Sequence, residues 1–421
     1  MWLEIRDIRL FTVENNINIL FRLTSFNVNS ISLLLNVLSK VEKKKKVYIA
    51  EDFKEVYEIL TNVSSEEPLF LVYSFMTPYV EEVKQEIDTA KKFFPKVFTL
   101  AGGSHPSGDP QGCINIGFDF VFTGEGEVNF WNFFSKELWK EARGRVFNSV
   151  TPCVFNDYIP VSKWLRVCSP LEIMRGCFYR CKYCQTSSIY PLTPRYRDIN
   201  SVCKYIELIQ RQGFNRVDFL APDGFSYGKK NKQDNNYKKL EELLKSASLE
   251  GKFPIKLGFF PSELRVDNIS EDLLLLIKKY CNNKKVHIGA QSGSEEVLRR
   301  ANRGHGVKEI LTALELIYNL GFIPFVDFMI GLPEESYSER KETFKLIEFL
   351  QKKYSAFIQL HYFMPLPGTV WSTKAPSKLL KEEEKEIVKL TLGGQIKGYW
   401  KEQSAFYSKL IRWRKEGLVS Y

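Results

Sequence analysis

Along the first 140 positions, short apolar runs alternate with stretches in which apolar residues recur every third or fourth place. "INILFRL" (17–23), "KVYIA" (46–50), "LFLVYSF" (69–75), "VFTLAGG" (97–103) and "FDFVFTG" (118–124) are brief and rich in β-branched and aromatic residues. Parallel strands buried on both faces have this pattern. "PYVEEVKQEIDTAKKFF" (78–94), between two of them, has the spacing of an amphipathic helix. The alternation predicts a doubly wound, Rossmann-like α/β domain over residues 1–140, with ligands beyond the carboxyl ends of its strands. "MWLEIRDIRLF" alternates apolar and charged positions and predicts an initial strand, unlike a signal peptide. Phe130, Phe134 and Leu138 recur at helical spacing and predict a closing helix whose apolar residues are core.

Residues 141–168 contain Pro152 and Pro160, lack a strong period and read as a linker. Strand and helix then alternate again over residues 169–375. "LEIMRG", "RVDFLA", "PIKLGFF", "KVHIGA", "FIPFVDFMIG" and "AFIQLHYF" are six strand candidates, separated by helical patterns such as "NSVCKYIELIQRQ" and "EDLLLLIKKY". Six βα units predict a partial (β/α)6 barrel, with chemistry at the carboxyl ends of its strands. Residues 376–421 are charged and Trp-containing and read as a helical C-terminal extension. There is no internal repeat of fixed period and no low-complexity segment.

Charge changes this picture little. Lys and Arg outnumber Asp and Glu by 60 to 50, a surplus of +10 that would suit an acidic partner. The surplus is spread along the chain, however. Its one dense run, Lys43–Lys46, falls where a helix is expected to end, where lysines complement the helix dipole and face water. A nucleic-acid partner is therefore disfavoured. No apolar segment approaches the roughly 18–20 residues of a membrane span. Cys113, Cys153, Cys168, Cys203 and Cys281 are scattered singly rather than spaced as a disulfide framework, so a reducing cytoplasm is expected.

The other three cysteines do change it. "MRGCFYRCKYCQT" (174–186) places Cys177, Cys181 and Cys184 in a C-x3-C-x2-C array directly after the first barrel strand. Thiolates bind zinc and iron–sulfur clusters, but structural zinc wants four closed ligands and no second pair follows. Three thiolates on one loop suit a cluster that keeps one iron open. The array resembles that of the radical S-adenosylmethionine (SAM) superfamily, whose members hold a 4Fe–4S cluster on such a loop. The resemblance implies Cys177, Cys181 and Cys184 as cluster ligands, with the amino and carboxylate groups of SAM completing the fourth iron. It places Tyr183 near adenine. "APDGFSYG" (221–228) then puts Pro222 and Asp223 at the SAM amino group, in place of the family's usual Gly-Gly-Glu. "GAQSGSEEVLRRANRGH" (289–305) is similar to the family's stretch with a common Glu where Gln291 stands here. Gln291 and Ser292 are implied as hydrogen-bonding partners of the ribose or methionine end, and Arg303 as partner of the SAM carboxylate. "DFMIGLPEES" (327–336) matches the turn beside adenine.

Ahead of the barrel, "YSFMT" (73–77), "LAGGSHPSGDP" (100–110) and "GFDFVFTGEGE" (117–127) resemble the cobalamin-binding domain fused to many such enzymes. The resemblance implies that Ser74, Thr77, Gly102 and Gly103 line the slot for the nucleotide tail, and that Gly124, Glu125, Gly126 and Glu127 form the family's "GEGE" turn. The family's Asp-x-His-x-x-Gly loop, whose histidine binds cobalt from below, is replaced by "RLTSFNVNSIS" (22–32). His105 is read as a turn or capping residue, not a substitute ligand. Together these features imply a cobalamin-dependent radical SAM enzyme that cleaves SAM to a 5′-deoxyadenosyl radical and C-methylates an unactivated carbon. They also imply an external electron donor such as ferredoxin or flavodoxin. A non-methylating radical SAM enzyme with a vestigial cobalamin domain, making rings, couplings or rearrangements, is the alternative. The small-molecule, lipid or peptide substrate is not disclosed by these residues.

Overall fold

The computed structural model describes residues 17–63, 66–149, 152–260 and 262–421; the strand expected at the N-terminus lies outside them. Two units emerge. One comprises the described residues of Met1–Ser169 with Leu366–Gly368 and Leu410–Tyr421; the other comprises Pro170–Pro365 and Thr369–Lys409.

In chain order the first unit contains β1 (Ile17–Arg22), α1 (Val28–Ser39), β2 (Lys45–Ala50), α2 (Phe53–Asn62), β3 (Leu69–Ser74) and α3 (Val80–Phe93). It continues through β4 (Phe98–Gly102), the short α4 (Ser104–Gly108) and α5 (Pro110–Asn115), β5 (Phe120–Thr123), α6 (Gly126–Ser135) and β6 (Arg145–Asn148). All six strands are parallel, in the order β2-β1-β3-β4-β5-β6. The order reverses between β1 and β3, which places the ligand crevice of a doubly wound sheet at their carboxyl ends. Every residue of β1 is buried; its two polar residues are paired, Asn18 with Glu67 and Arg22 with Glu86. Ile31, Leu35 and Leu38 of α1 and Phe130, Phe133 and Phe134 of α6 share a core with Phe21, Phe70 and Phe120 of the sheet. Phe70 meets Phe134 and Trp139 edge-on, with ring centres at 5.1 and 5.2 Å. Such pairs add about 0.5–1.5 kcal/mol each beyond their buried area.

Two sequence expectations change in this unit. The stretch read as a linker supplies β6, whose four residues pair with β5 but are too few to show a period. The lysine run does not end a helix: α1 stops at Ser39, Lys45 and Lys46 open β2, and Lys43 Nζ pairs with Glu137 Oε1 at 2.7 Å.

In the second unit come β7 (Leu171–Glu172), β8 (Met174–Arg175), α7 (Thr186–Ile189), β9 (Arg195–Tyr196), α8 (Ile199–Arg211), β10 (Val217–Leu220), α9 (Tyr237–Ala247) and β11 (Ile255–Lys256). They are followed by α10 (Glu271–Tyr280), β12 (Lys285–Gln291), α11 (Glu295–Arg300), α12 (Val307–Asn319), β13 (Ile323–Ile330), α13 (Tyr337–Tyr354) and β14 (Phe357–Tyr362). The last elements are α14 (Lys381–Leu392), β15 (Ile396–Lys397) and α15 (Trp400–Lys415), the last of which runs on into residues of the first unit. Strands β7, β10 and β11 form one parallel piece and β12, β13, β14 and β15 another. His287 N donates to Gly258 O at 2.9 Å and Leu264 bridges Ile288, which joins the pieces into an open, partial barrel. The extension expected to be helical therefore also adds a short seventh strand, β15, with Ile396 buried.

Helix starts follow local chemistry. Asp198 accepts from Ser201 N to cap α8, Ser270 accepts from Leu273 N to cap α10, and Ser336 with Glu339 forms a capping box on α13.

Candidate active site

The three-cysteine loop is tied at its root. β8 and β9 pair antiparallel as a small ribbon on either side of it. Gly176, at φ +88°, opens the loop where a Cβ would meet Pro191 O at 2.6 Å, so only glycine fits. The end of α11 clamps the loop from the other side: Lys182 N donates to Ala301 O at 3.1 Å and Asn302 Nδ2 to Arg180 O at 2.8 Å.

Cys177, Cys181 and Cys184 line one cavity of about 320 Å³ together with Tyr183, Pro222, Gln291 and Arg303. Burial pushes the Cys177 thiol up to about 12 and raises that of Cys184, while Arg265 and Arg303 respectively pull them back. Both guanidiniums also approach Cys181 Sγ, Arg303 Nη1 at 3.5 Å and Arg265 Nη1 at 3.9 Å. Arg265 is held in turn by Asp267 at 3.0 Å and stacks on Tyr179, its guanidinium carbon 3.4 Å from the ring centre. Counter-charge for the buried thiolates thus comes from outside the loop, from Arg265 after β11 and Arg303 after α11.

Among the described residues, three buried polar atoms of the cavity lining form no hydrogen bond: Tyr183 Oη, Arg303 Nε and Asp327 Oδ1. The Tyr183 ring packs against Val297, Leu332 and Phe363. Gln291 closes β12 at a bulge with φ +70°, a conformation that costs an ordinary side chain energy and that often marks a site. These groups fit a ligand with donors and acceptors at several points, as SAM has.

Asp223 and Ser292 do not join them. Asp223 is fully buried, where it accepts from Arg265 N at 3.2 Å and from Ser226 Oγ at 2.5 Å. Ser292, also fully buried, pairs with Thr343 Oγ1 at 3.1 Å and accepts from Ser294 N. Asp223 thus ties to the segment after β11 and Ser292 to α13. The wall also includes Tyr179, Glu263, Arg265 and His361, none of them singled out in the sequence, and Asp327 and Met329 from the 327–336 stretch. For Asp327 and His361 the signal was available: a carboxylate and an imidazole inside apolar strands.

In the first unit the glycine motifs meet at the ends of β4 and β5. Ser107 Oγ donates to Gly103 O at 2.7 Å and accepts from Gly124 N at 3.0 Å. Gly103 sits at φ +103°, where a Cβ would strike the Phe75 backbone at 2.9 Å and approach Ser74 Oγ at 3.1 Å. A Cβ on Gly102 would meet nothing within 4 Å, so the strand end opens onto free space that a flat ligand edge can approach. Glu125 and Glu127, both buried, face Cys153 instead: Glu125 Oε2 accepts from Cys153 N at 3.0 Å. The place of the missing Asp-x-His-x-x-Gly loop is closed by Asn27, whose side chain accepts from Thr24 N and donates to Arg22 O and Ser74 O.

His105 is fully buried, its Nδ1 3.2 Å from Thr77 Oγ1 and its ring 5.3 Å from Phe75. Burial lowers its pKa to about 4, with Asp109 opposing the shift. It stays neutral when folded but takes a proton near pH 6.5 when unfolded. Its contribution to stability is therefore whole above pH 6.5 and is lost as pH falls toward 4, by at most about 1.4 kcal/mol per unit. In thermal unfolding of the full chain, His105→Gln should flatten the loss of stability between pH 7 and pH 5. An identical pH profile in the variant would show that this imidazole is not the group responsible.

Residues 171–347 match the family model described as the Radical SAM superfamily, and residues 24–133 match the B12 binding domain. An uncharacterised methyltransferase of Synechocystis sp. is 24% identical over 351 residues, covering 81% of this chain and 63% of that protein. A putative methylthiotransferase of Methanocaldococcus jannaschii is 25% identical over 281 residues, covering 64% of this chain and 61% of that protein. The chain thus spans less than two thirds of the length of these relatives. Among solved structures, the radical SAM methyltransferase TsrM from Kitasatospora setae, with cobalamin and a 4Fe–4S cluster bound, superposes with a TM-score of 0.62 at 12% identity, over 85% of this chain and 77% of that one. The cobalamin-dependent SAM radical enzyme OxsB superposes with a TM-score of 0.63 at 16% identity, over 90% of this chain and 55% of that one. At these identities the likeness is one of fold.

Proposed function

We propose, from the premise that this chain belongs to the radical SAM superfamily and carries a B12 binding domain ahead of its radical SAM domain, that it is an enzyme methylating an unactivated carbon. One observation carries the reading: three cysteines and two arginines converge with Tyr183 and Gln291 on a single cavity. A 4Fe–4S cluster and cobalamin, when bound, supply one-electron cleavage of SAM and a transferable methyl group, chemistry that no side chain offers.

The residues have separable tasks. Cys177, Cys181 and Cys184 would hold the cluster, while Arg265 and Arg303 offset the charge of its thiolates. Arg303 would also receive the carboxylate of SAM, Tyr183 its adenine and Gln291 its hydroxyl groups; Pro222 borders the same space. Ala221, Leu264 and Met329 give the wall apolar patches that keep water from reactive species. In the first domain Ser74, Thr77, Gly102 and Gly103 would border the slot for the cobalamin tail. The electron would come from an external donor such as ferredoxin or flavodoxin. The name of the Synechocystis relative is in keeping with methyl transfer.

The test is anaerobic reconstitution followed by product analysis. Reduced protein should release 5′-deoxyadenosine from SAM slowly even without substrate, and should also form S-adenosylhomocysteine once cobalamin is present. Deoxyadenosine without S-adenosylhomocysteine, with the true substrate supplied, would favour radical chemistry without methyl transfer. A specific observation speaks for that second reading: Thr77 and Asp109 already have partners in His105, Tyr421 and Ser420. Cobalamin binding decides it. Bound Co(II) cobalamin should give a paramagnetic-resonance spectrum without strong axial nitrogen coupling, unchanged by His105→Ala. No binding under reducing conditions would make the first domain a relic.

A further inference from the structure

Three barrel strands carry polar side chains where their neighbours are apolar: His287 on β12, Asp327 on β13 and His361 on β14. Glu263, on the loop after β11, faces the same space. The Nε2 of His287 lies 2.8 Å from Asp327 Oδ1, and the two side chains are 3% and 5% exposed. Neither atom forms an aligned hydrogen bond, and Nδ1 of the same ring has no partner either.

We propose that Glu263, His287 and Asp327 form a binding site for a divalent transition-metal ion, separate from the cysteine cluster and open to the cavity. One ligand atom from each of the three lies within 4.8 Å of the others. Two donors that approach closely without an aligned hydrogen bond are arranged as neighbours on a common ion are arranged. The imidazole is held in place by Phe325, edge-on with ring centres 4.7 Å apart. His361 forms the rim, its Nε2 3.7 Å from Asp327 Oδ2 and 3.1 Å from Gln359 Nε2.

The donor set selects the ion. Two carboxylates and an imidazole suit Mn(II), Fe(II) or Zn(II); they lack the thiolates that iron–sulfur clusters require, and the imidazole disfavours calcium. Burial and the nearby Asp327 raise the Glu263 carboxyl, a repulsion that a cation between them relieves. Glu263 and Asp327 both line the cavity, so the positions left open on the ion face it. An ion there would anchor an oxygen ligand of the substrate, a hydroxyl or carboxylate, at a fixed distance from the cysteine loop.

The experiment uses the full chain with its cluster reconstituted anaerobically, freed of loose metal with a chelator, then titrated with MnCl2 and followed by paramagnetic resonance. A parallel series uses ZnCl2 with metal analysis after desalting. About one ion should bind per chain, and Asp327→Asn and Glu263→Gln should each weaken binding about tenfold or more while leaving the cluster absorption intact. If Asp327→Asn fails the folding check by circular dichroism, Glu263→Gln, a loop residue, decides. Absence of stoichiometric binding by either ion, or unchanged affinity in the folded variants, would show that His287 and Asp327 are only a buried ion pair.

Discussion

Replacing Cys177, Cys181 or Cys184 singly by Ala should abolish both the brown iron–sulfur absorption and all cleavage of SAM. The three thiols sit on one loop clamped at both ends and share one cavity, so no other thiol can take a lost position without moving that loop. Cys113 belongs to α5 in the first unit and Cys203 to α8, and neither lines the cavity. Cys113→Ala and Cys203→Ala should therefore leave cluster and cleavage intact, although Cys113→Ala removes a buried side chain and should cost on the order of 1 kcal/mol. Iron content, absorption spectrum and deoxyadenosine release measure all five variants. Zinc in the purified protein, together with loss of metal in Cys168→Ala, would overturn the assignment.

Much of this architecture is legible in the chain because strands buried on both faces need apolar runs. β3 to β5 are largely such runs, and each lies where the pattern predicts. The elements that were missed are those without room for a pattern. β15 has two residues and β6 has four, with hydrogen bonds to a neighbour supplying what periodicity does not. The site divides the same way. Local spacing reveals the cysteine loop, since its function depends on consecutive positions. It cannot reveal Arg265, which reaches Cys181 across 84 positions, or the approach of His287 to Asp327 between neighbouring strands. Spacing also cannot show that Asp223 and Ser292, which stand in suggestive places, bond to Arg265 N and Thr343 Oγ1 in distant segments.

Arg303→Met should leave the cluster assembled but reduce SAM cleavage by about 10²–10³-fold, the scale seen when one preorganised donor is removed from an active site. Arg303 is buried, and its guanidinium donates to Gly289 O at 2.7 Å and to Cys181 Sγ at 3.5 Å while Nε stays unpaired on the cavity wall. Tyr183, Cys181 and Glu263 all favour its charged form and more than offset burial, so it is a permanent cation at the loop. Removing it has two consequences that can be measured apart. The thiolate loses a neighbouring positive charge, so adding an electron to the cluster becomes harder and its reduction potential should fall. If Arg303 receives the carboxylate of SAM as proposed, SAM affinity should also fall in the oxidised protein, where no cleavage occurs. Arg303→Lys keeps the charge but loses the guanidinium's planar set of donors; it should restore most of the potential and less of the affinity. If Arg303 only held the loop in shape, both variants would lose iron and melt early, and the potential of any remaining cluster would not change. Wild-type affinity and potential in a folded Arg303→Met protein would remove this residue from the site altogether.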